Sequence, residues 1–289
     1  MTQTKESAAT GTGIGPGAYG TLLVHAEPGL ASSHRVEAAA RLARDMKARL
    51  IGVGAEALEP IPAPDPFTGY VAGEWVVLAQ AQLAKNLEAA EAAFQRDAAG
   101  ADIEWRTLQD YPGNALTRLA RAADLIVMSP RGDRETIRTA DPADVVMGAG
   151  RPVLIAPDRQ HHLRAKAVVI AWKDTRECRR AIADAMPFLR SAGDVIVHAL
   201  CAPDSADAMV FETDDVVANL KRHGVAARAL VTSVASDDVV DALSRVAELN
   251  HADLIVAGAY GHSRLREWAF GGVTKAFLHN PPCFVLMSH

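Results

Sequence analysis

The chain has 289 residues, a formal net charge of -5, 49% hydrophobic residues and 5% aromatic residues. This length is typical of two domains of about 150 residues, and a core rich in Ala, Val, Leu and Ile is typical of α/β folds. The negative charge argues against nucleic acid as the main partner, and no apolar run reaches the ~18 residues that span a bilayer. The first 18 residues lack the apolar segment of a signal peptide, so we expect a cytoplasmic protein that contacts no membrane.

Short apolar runs alternate with longer helical patterns along the whole chain. In the first half the sequence predicts strands over 21–26, 50–54, 103–108, 125–128 and 152–155, and helices over 33–49, 73–99, 114–122 and 142–148. In the second half it predicts strands over 167–172, 194–200, 226–232, 254–257 and 283–287, and helices over 176–190, 213–222, 237–250 and 272–279. Each half therefore predicts five strands alternating with four helices, which indicates a doubly wound parallel sheet.

The two halves also repeat each other in sequence. Residues 123–127 read Ala-Asp-Leu-Ile-Val, and residues 252–256 read the same. The polar segment 157–164 separates the repeats, so we predict a disordered tail over 1–18, a first domain over 19–158 and a second domain over 164–289. Sheets of this kind bind ligands beyond the carboxyl ends of their strands. Ligand sites are therefore expected in the loops that follow the strands.

The residues that could support metal or nucleophilic chemistry form no recognisable pattern. Cys178, Cys201 and Cys283 are too few for a disulfide framework, and neither their spacing nor that of the histidines resembles a metal site. Cys283 lies in a predicted strand, which favours a small core residue over a nucleophile. No general base stands out, so no catalytic residue and no metal ligand is predicted.

The loop after the fourth strand of the second half combines glycines with the start of a helix. Gly258 and Gly261 stand three residues apart, nine residues follow, and Gly271 and Gly272 then open the predicted helix. Glycine allows backbone N–H groups to approach an anion closely, and a helix start adds free N–H groups and a positive dipole end. Arg264 in the intervening loop adds positive charge. These features together predict a phosphate-binding site.

The pattern resembles the Gly-x2-Gly-x9-Gly-Ser/Thr signature of ATP-binding universal stress proteins. The resemblance extends over roughly residues 19–289 and implies two tandem domains of the adenine nucleotide α-hydrolase-like fold. It implies ATP, ADP or AMP as the ligand, with or without Mg, bound in the second domain only. The binding residues that it implies are Ala171, Trp172, Lys173, Asp174, Ala199, Gly258, Gly261, His262, Arg264, Gly271, Gly272, Val273 and Thr274.

Some of these positions depart from the family pattern or leave two interpretations open. Family members that bind ATP carry Asp after the first strand, where this chain has Lys173, so either Lys173 contacts a phosphate or Asp174 replaces the missing carboxylate. Gly272 stands where the family has Ser or Thr, which removes a hydroxyl contact but keeps the backbone N–H. His262 is either a phosphate contact or a solvated loop residue, and Trp172 is either a pocket lid or a core residue.

The corresponding loop of the first half lacks the features of a phosphate site. Ser129 replaces the first glycine, and Pro142, which has no N–H to donate, stands near the position of the third. Asp141 and Asp144 at the predicted helix start would cap it and repel phosphate. We therefore predict that the first domain binds no nucleotide, and that Glu27 at its ligand end is structural or vestigial.

Three functions remain open at this stage. The first is a stress-response or regulatory module that binds an adenine nucleotide, with at most slow ATP hydrolysis. The second is a ligand-free scaffold that acts through dimerisation or partner binding, and the third is an ATP-activating enzyme of the same fold group. The resemblance also implies that the last strands of the two domains pair antiparallel as an intramolecular pseudo-dimer. Whether two chains form a homodimer stays open.

Overall fold

The computed structural model describes residues 19–58, 71–132, 138–158, 162–202, 205–233, 238–261 and 271–289. The strands in these ranges are β1 (Thr21–His25), β2 (Arg49–Ala55), β3 (Asp102–Leu108), β4 (Leu125–Met128), β5 (Val153–Ile155), β6 (Ala167–Trp172), β7 (Asp194–Cys201), β8 (Ala227–Ser233), β9 (Leu254–Gly258) and β10 (Phe284–Ser288). The α-helices are α1 (Leu30–Met46), α2 (Val71–Asp97), α3 (Pro112–Leu119), α4 (Pro142–Gly148), α5 (Arg176–Ser191), α6 (Ala206–Arg222), α7 (Val239–Leu249) and α8 (Gly271–His279).

All ten strands form one sheet in the order β3-β2-β1-β4-β5-β10-β9-β6-β7-β8. Each half contributes a parallel five-stranded unit whose first strand lies at its centre, which is the doubly wound order. The two units meet where β5 and β10 pair antiparallel, with Leu154 opposite Leu286. The pairing covers two strand edges that would otherwise be open to aggregation, and it confirms the antiparallel contact expected of the last strands.

The inner strands of the sheet are buried on both faces because helices cover it on both sides, whereas the edge strands β3 and β8 are largely half-buried or exposed. All four residues of β4 are buried, as are all five of β10, so these strands appear as uninterrupted apolar runs in the sequence. Side chains of alternate strand residues enter two core layers, with Leu22 in one layer and Leu23 in the other. The strand signal was therefore strong, and every predicted strand end lies within one residue of the observed end.

The predicted helix ends were less accurate. Helix α6 begins at Ala206, seven residues before the predicted start at Thr213. The early part of α6 points an apolar side chain, Phe211, into solvent, where it is 72% exposed, and this obscures the helical pattern of apolar residues. Helix α1 ends at Met46 because Lys47 adopts a left-handed φ of 56°. The chain leaves the helix there, and β2 begins at Arg49.

The duplicated Ala-Asp sequence has the same structural role in both halves. The Asp124 carboxylate accepts hydrogen bonds from the backbone N–H groups of Gly20 (2.9 Å) and Thr21 (3.0 Å). In the second half, the Asp253 carboxylate accepts from the N–H groups of the two residues 164 (2.7 Å) and 165 (3.0 Å). Each aspartate therefore fixes the chain as it enters the first strand of its half.

Further contacts join the two halves beside the central strand pair. The Tyr19 hydroxyl of the first half donates to the backbone carbonyl of Asp184 in the second half, and within the second half the Ser288 hydroxyl donates to the Asp184 carboxylate at 2.8 Å. At the carboxyl ends of the strands, the N–H of Arg131 donates to the carbonyl of Leu278 at 2.6 Å. The loop after β4 of the first half therefore contacts the last turn of α8 in the second.

Candidate functional site

The site predicted in the second half begins where β9 ends against the start of α5. A Cβ placed on Gly258 would lie 2.6 Å from the backbone nitrogen of Cys178 and 2.8 Å from the carbonyl carbon of Glu177. These atoms belong to the backbone and cannot move aside as a flexible side chain would. The position therefore accepts only glycine without a shift of α5, and the chain turns away from the sheet in close contact with that helix.

The turn after β9 is tight and keeps its backbone near the surface. Tyr260 adopts a left-handed φ of 54°, which is uncommon for a residue with a side chain, and Gly261 is exposed. Residues 262–270 lie outside the described ranges, and with them the predicted phosphate contacts His262 and Arg264. The next described residues form helix α8, which begins at Gly271.

The start of α8 is exposed at Gly272 and packs into the core at the two residues that follow. An added Cβ on Gly272 would meet no atom of the described chain within 4 Å. Val273 and Thr274, by contrast, are buried, and Val273 packs in the core layer that contains Phe277 and Ile255. The space beside Gly272 is therefore the accessible part of this helix start, while the two following side chains anchor the helix.

The predicted adenine-pocket residues lie at the carboxyl ends of β6 and β7. Trp172 stands opposite Ala199 in the register of the two strands, and Ala171 stands opposite Ala257 of β9. Trp172 is a core residue, since it packs in the layer beneath α5 and α6, and Ala199 is fully buried beside it. The indole N–H of Trp172 has no hydrogen-bond acceptor among the described residues.

The two polar residues after β6 are placed differently from one another. Lys173 is half-buried, and burial lowers the pKa of its ammonium group below the ordinary value. Asp174 is exposed and forms an ion pair with Arg179 in the first turn of α5. In the described structure, therefore, Asp174 interacts with α5.

Glu177, for which the sequence predicted no binding role, lies beside Gly261 of this turn. Its side chain is only 1% exposed, and one carboxylate oxygen lies 3.2 Å from the Cβ position of Gly261. Burial alone would raise its pKa, but hydrogen bonds from Arg176, its own backbone and Thr175, together with the charge of Arg176, outweigh burial and lower it. The second-half turn therefore faces a buried carboxylate that is ion-paired with Arg176.

The corresponding loop of the first half is stabilised by its own side chains. The strand register places Ser129 where Gly258 stands in the second half, and its hydroxyl accepts a hydrogen bond from the buried guanidinium of Arg35 at 2.8 Å. Asp141 caps α4 by accepting from the N–H of Ala143 at 2.9 Å, and Pro142 occupies the first helical position. The predicted cap is confirmed, and Arg131 pairs with Asp141 at 3.1 Å.

The remaining chemical groups of the described chain suggest no metal centre. All three cysteines are free and buried, and burial raises the pKa of Cys283 to about 12, which fits the predicted core role. Within the described ranges, His, Cys, Asp and Glu side chains form no group of three that could bind a metal ion. A bilayer-crossing helix is also absent from these ranges, where none combines sufficient length with sufficient apolarity.

Two doubly wound halves joined by their last strands, with a glycine turn at the carboxyl end of β9, define an α/β protein of the adenine nucleotide α-hydrolase-like fold. A family model described as "Universal stress protein family" matches residues 164–289. Residues 164–289 are therefore similar to the universal stress protein family.

Comparison with solved structures shows that the likeness in fold extends over both halves. A universal stress protein from Archaeoglobus fulgidus is 13% identical, with a TM-score of 0.61 and coverage of 94% of this chain and 96% of that one. A functionally unknown protein from Pseudomonas aeruginosa is 14% identical, with a TM-score of 0.55 and coverage of 94% and 92%. A search among curated proteins found no match.

Proposed function

We propose that this protein is a stress-response or regulatory module in which residues 164–289 form a domain that binds ATP or another adenine nucleotide. Residues 19–158 would form a second domain of the same fold without a nucleotide site. The observation that carries the proposal is the Gly258–Gly261 turn, whose first glycine admits no Cβ, together with the start of α8, where Gly272 is exposed. Backbone N–H groups at such a turn and helix start are suited to phosphate.

The carboxyl end of β6 supports the adenine part of the proposal. The buried indole N–H of Trp172 finds no acceptor in the described part of the chain. A buried donor without a partner costs about 1–3 kcal/mol, and a ring nitrogen of adenine is an acceptor that would recover this. Trp172 would then contribute to binding from a core position, with its indole nitrogen rather than its ring face as the contact.

Glu177 indicates the form in which the nucleotide would bind. Its carboxylate lies beside Gly261 and would repel a bare triphosphate to the extent that the ion pair with Arg176 leaves its charge uncompensated. A Mg²⁺ ion on the phosphates would offset this repulsion by supplying positive charge. We therefore infer that the magnesium complex of ATP is the preferred ligand, with Glu177 and the backbone at Gly261 on the protein side.

The experiment is a calorimetric titration of MgATP into the protein and two matched variants. Gly261→Asp places a second carboxylate in the turn, and Gly132→Asp makes the same change at the corresponding position of the first half. We expect the first variant to lose binding and the second to bind as the natural protein does. Equal binding by both variants would contradict the proposed site, and circular dichroism shows whether each variant is folded.

A second candidate function is a ligand-free scaffold that acts through partner binding, and Glu177 is the observation that favours it. The carboxylate close to the turn is paired with Arg176, so the two side chains together offer an anion no net attraction there. In that case neither ATP nor MgATP would bind at millimolar concentration. The same titration therefore separates the two functions.

A further inference from the structure

The first half lacks the glycine-rich phosphate loop, but it contains a cavity at the ligand end of its strands. The cavity has a volume of about 200 Å³ and lies at the carboxyl ends of β1 and β2, beneath α2. Glu27, Glu56 and Arg138 supply its charged lining, and Ala90 of α2 forms part of its apolar wall. Because ligands of doubly wound sheets bind beyond the carboxyl ends of the strands, this is where a ligand of the first half would lie.

A second cavity of about 160 Å³ adjoins the first and shares Glu56 and Arg138 with it. Its wall is apolar, with Trp75, Leu78 and Leu83 all on α2. Helix α2 has 27 residues, whereas α6 at the corresponding place in the second half has 17. The longer helix therefore gives the first half an apolar extension beside the charged cavity.

The two carboxylates in the first cavity differ in how well they are satisfied. Glu56 accepts hydrogen bonds from Asn86 at 3.0 Å and from Arg138 at 2.9 Å. Glu27, with a side chain 19% exposed, is held by longer contacts, at 3.5 Å from Arg35 and 3.4 Å from Thr139. A carboxylate can accept about four hydrogen bonds, so Glu27 has capacity for a stronger donor.

Burial makes that capacity energetically significant. It raises the pKa of Glu27 above its ordinary value, and the nearby Arg35 only partly opposes this. A carboxylate that burial disfavours gains most from a charged donor at close range. An anionic ligand is disfavoured because both nearby arginines are already paired, Arg138 with Glu56 at 2.9 Å and Arg35 with Glu27 at 3.5 Å.

We propose that the first-half cavity binds a small organic ammonium ion with an apolar tail. The ammonium group donates hydrogen bonds to Glu27, and the tail lies along α2 towards Trp75 and Leu78. The first domain would then be a binding domain for a different class of ligand, rather than the empty domain that its sequence predicts. The inference is independent of nucleotide binding in the second half.

The test is a calorimetric titration of hexylammonium chloride into the full chain at pH 7, where the amine is charged. We expect saturable binding of one equivalent. Two control probes have a six-carbon chain as well: hexanoate is negatively charged and 1-hexanol is uncharged. Neither should bind. Binding of all three probes alike, or of none, would overturn the proposal.

Two pairs of variants place the binding in this cavity. Glu27→Gln should weaken hexylammonium binding by about tenfold or more, while Glu88→Gln, on the exposed side of α2, should not change it. Ala90→Leu should fill the cavity and abolish binding, while Ala89→Leu on the exposed face should not. If Glu27→Gln fails to fold, the alanine pair decides, and unchanged binding by Ala90→Leu would overturn the site.

Discussion

The backbone nitrogen of Cys178 lies 2.6 Å from the point where a side chain would begin on Gly258. Strand β9 and helix α5 are therefore closer at this point than any residue but glycine permits. The contact brings the turn after β9 against the first turn of α5, and so places Gly261 beside Glu177. The proposed nucleotide site and the packing of α5 consequently depend on the same glycine.

Gly258→Ala should destabilise the protein by about 1–3 kcal/mol, because the new methyl group overlaps backbone that can yield only if α5 moves. Urea denaturation of the variant measures the loss as a lower transition midpoint. Gly113→Ala is the control, since a Cβ there meets no described atom within 4 Å and lies in a helix, where alanine is favoured over glycine. A Gly258→Ala midpoint equal to that of the natural protein would contradict the close contact.

Glu177→Gln should reduce the magnesium dependence of nucleotide binding. The carboxylate beside Gly261 penalises ATP without Mg²⁺, so we expect the natural protein to bind ATP about tenfold more weakly in EDTA than in magnesium. The variant keeps the size of the side chain but removes its charge, and the difference between the two conditions should shrink. Glu212→Gln, exposed on α6, should leave it unchanged, and an unchanged difference in Glu177→Gln would show that this carboxylate does not face the phosphates.

Two buried histidines make stability depend on pH. Burial lowers the pKa of His25 to about 3 and that of His198 to about 4. Each stays neutral in the folded chain but takes up a proton in the unfolded chain below about pH 6.5. The stability that they contribute is therefore complete above pH 6.5 and is lost as the pH falls towards their folded pKa values.

The two halves suggest the substitution that tests this pH dependence. In the first half, His25 of β1 pairs with Val53 of β2. The corresponding pair of the second half is Ala171 of β6 and His198 of β7, so Val53 occupies the position that corresponds to His198. His198→Val should reduce the loss of unfolding free energy between pH 7 and pH 5 by about 1–2 kcal/mol. His223→Gln, at an exposed helix end, is the control, and an equal loss in both variants would contradict the role of His198.

The sequence predicted the strands well and the site only in part. Strands buried on both faces give long apolar runs such as Leu125–Met128, and these runs fix the element order. Glu177 was not predicted because it is 84 residues before Gly261 in sequence, and a glutamate in the first turn of a helix ordinarily indicates only a favourable dipole interaction. The contact between them exists only after β6 and β9 pair, so no local pattern contains it.

Asp141→Ala tests whether the first-half loop is held by a helix cap. The variant loses the hydrogen bond to the N–H of Ala143 and the ion pair with Arg131, so we expect a loss of about 1 kcal/mol in unfolding free energy. Asp144→Ala removes an exposed charge from the same turn without removing the cap, and it should cost only a few tenths of a kcal/mol. Because Pro142 still lacks an N–H, neither variant should gain a second nucleotide site. Equal losses in the two variants, measured by urea denaturation, would show that dipole charge rather than capping stabilises this loop.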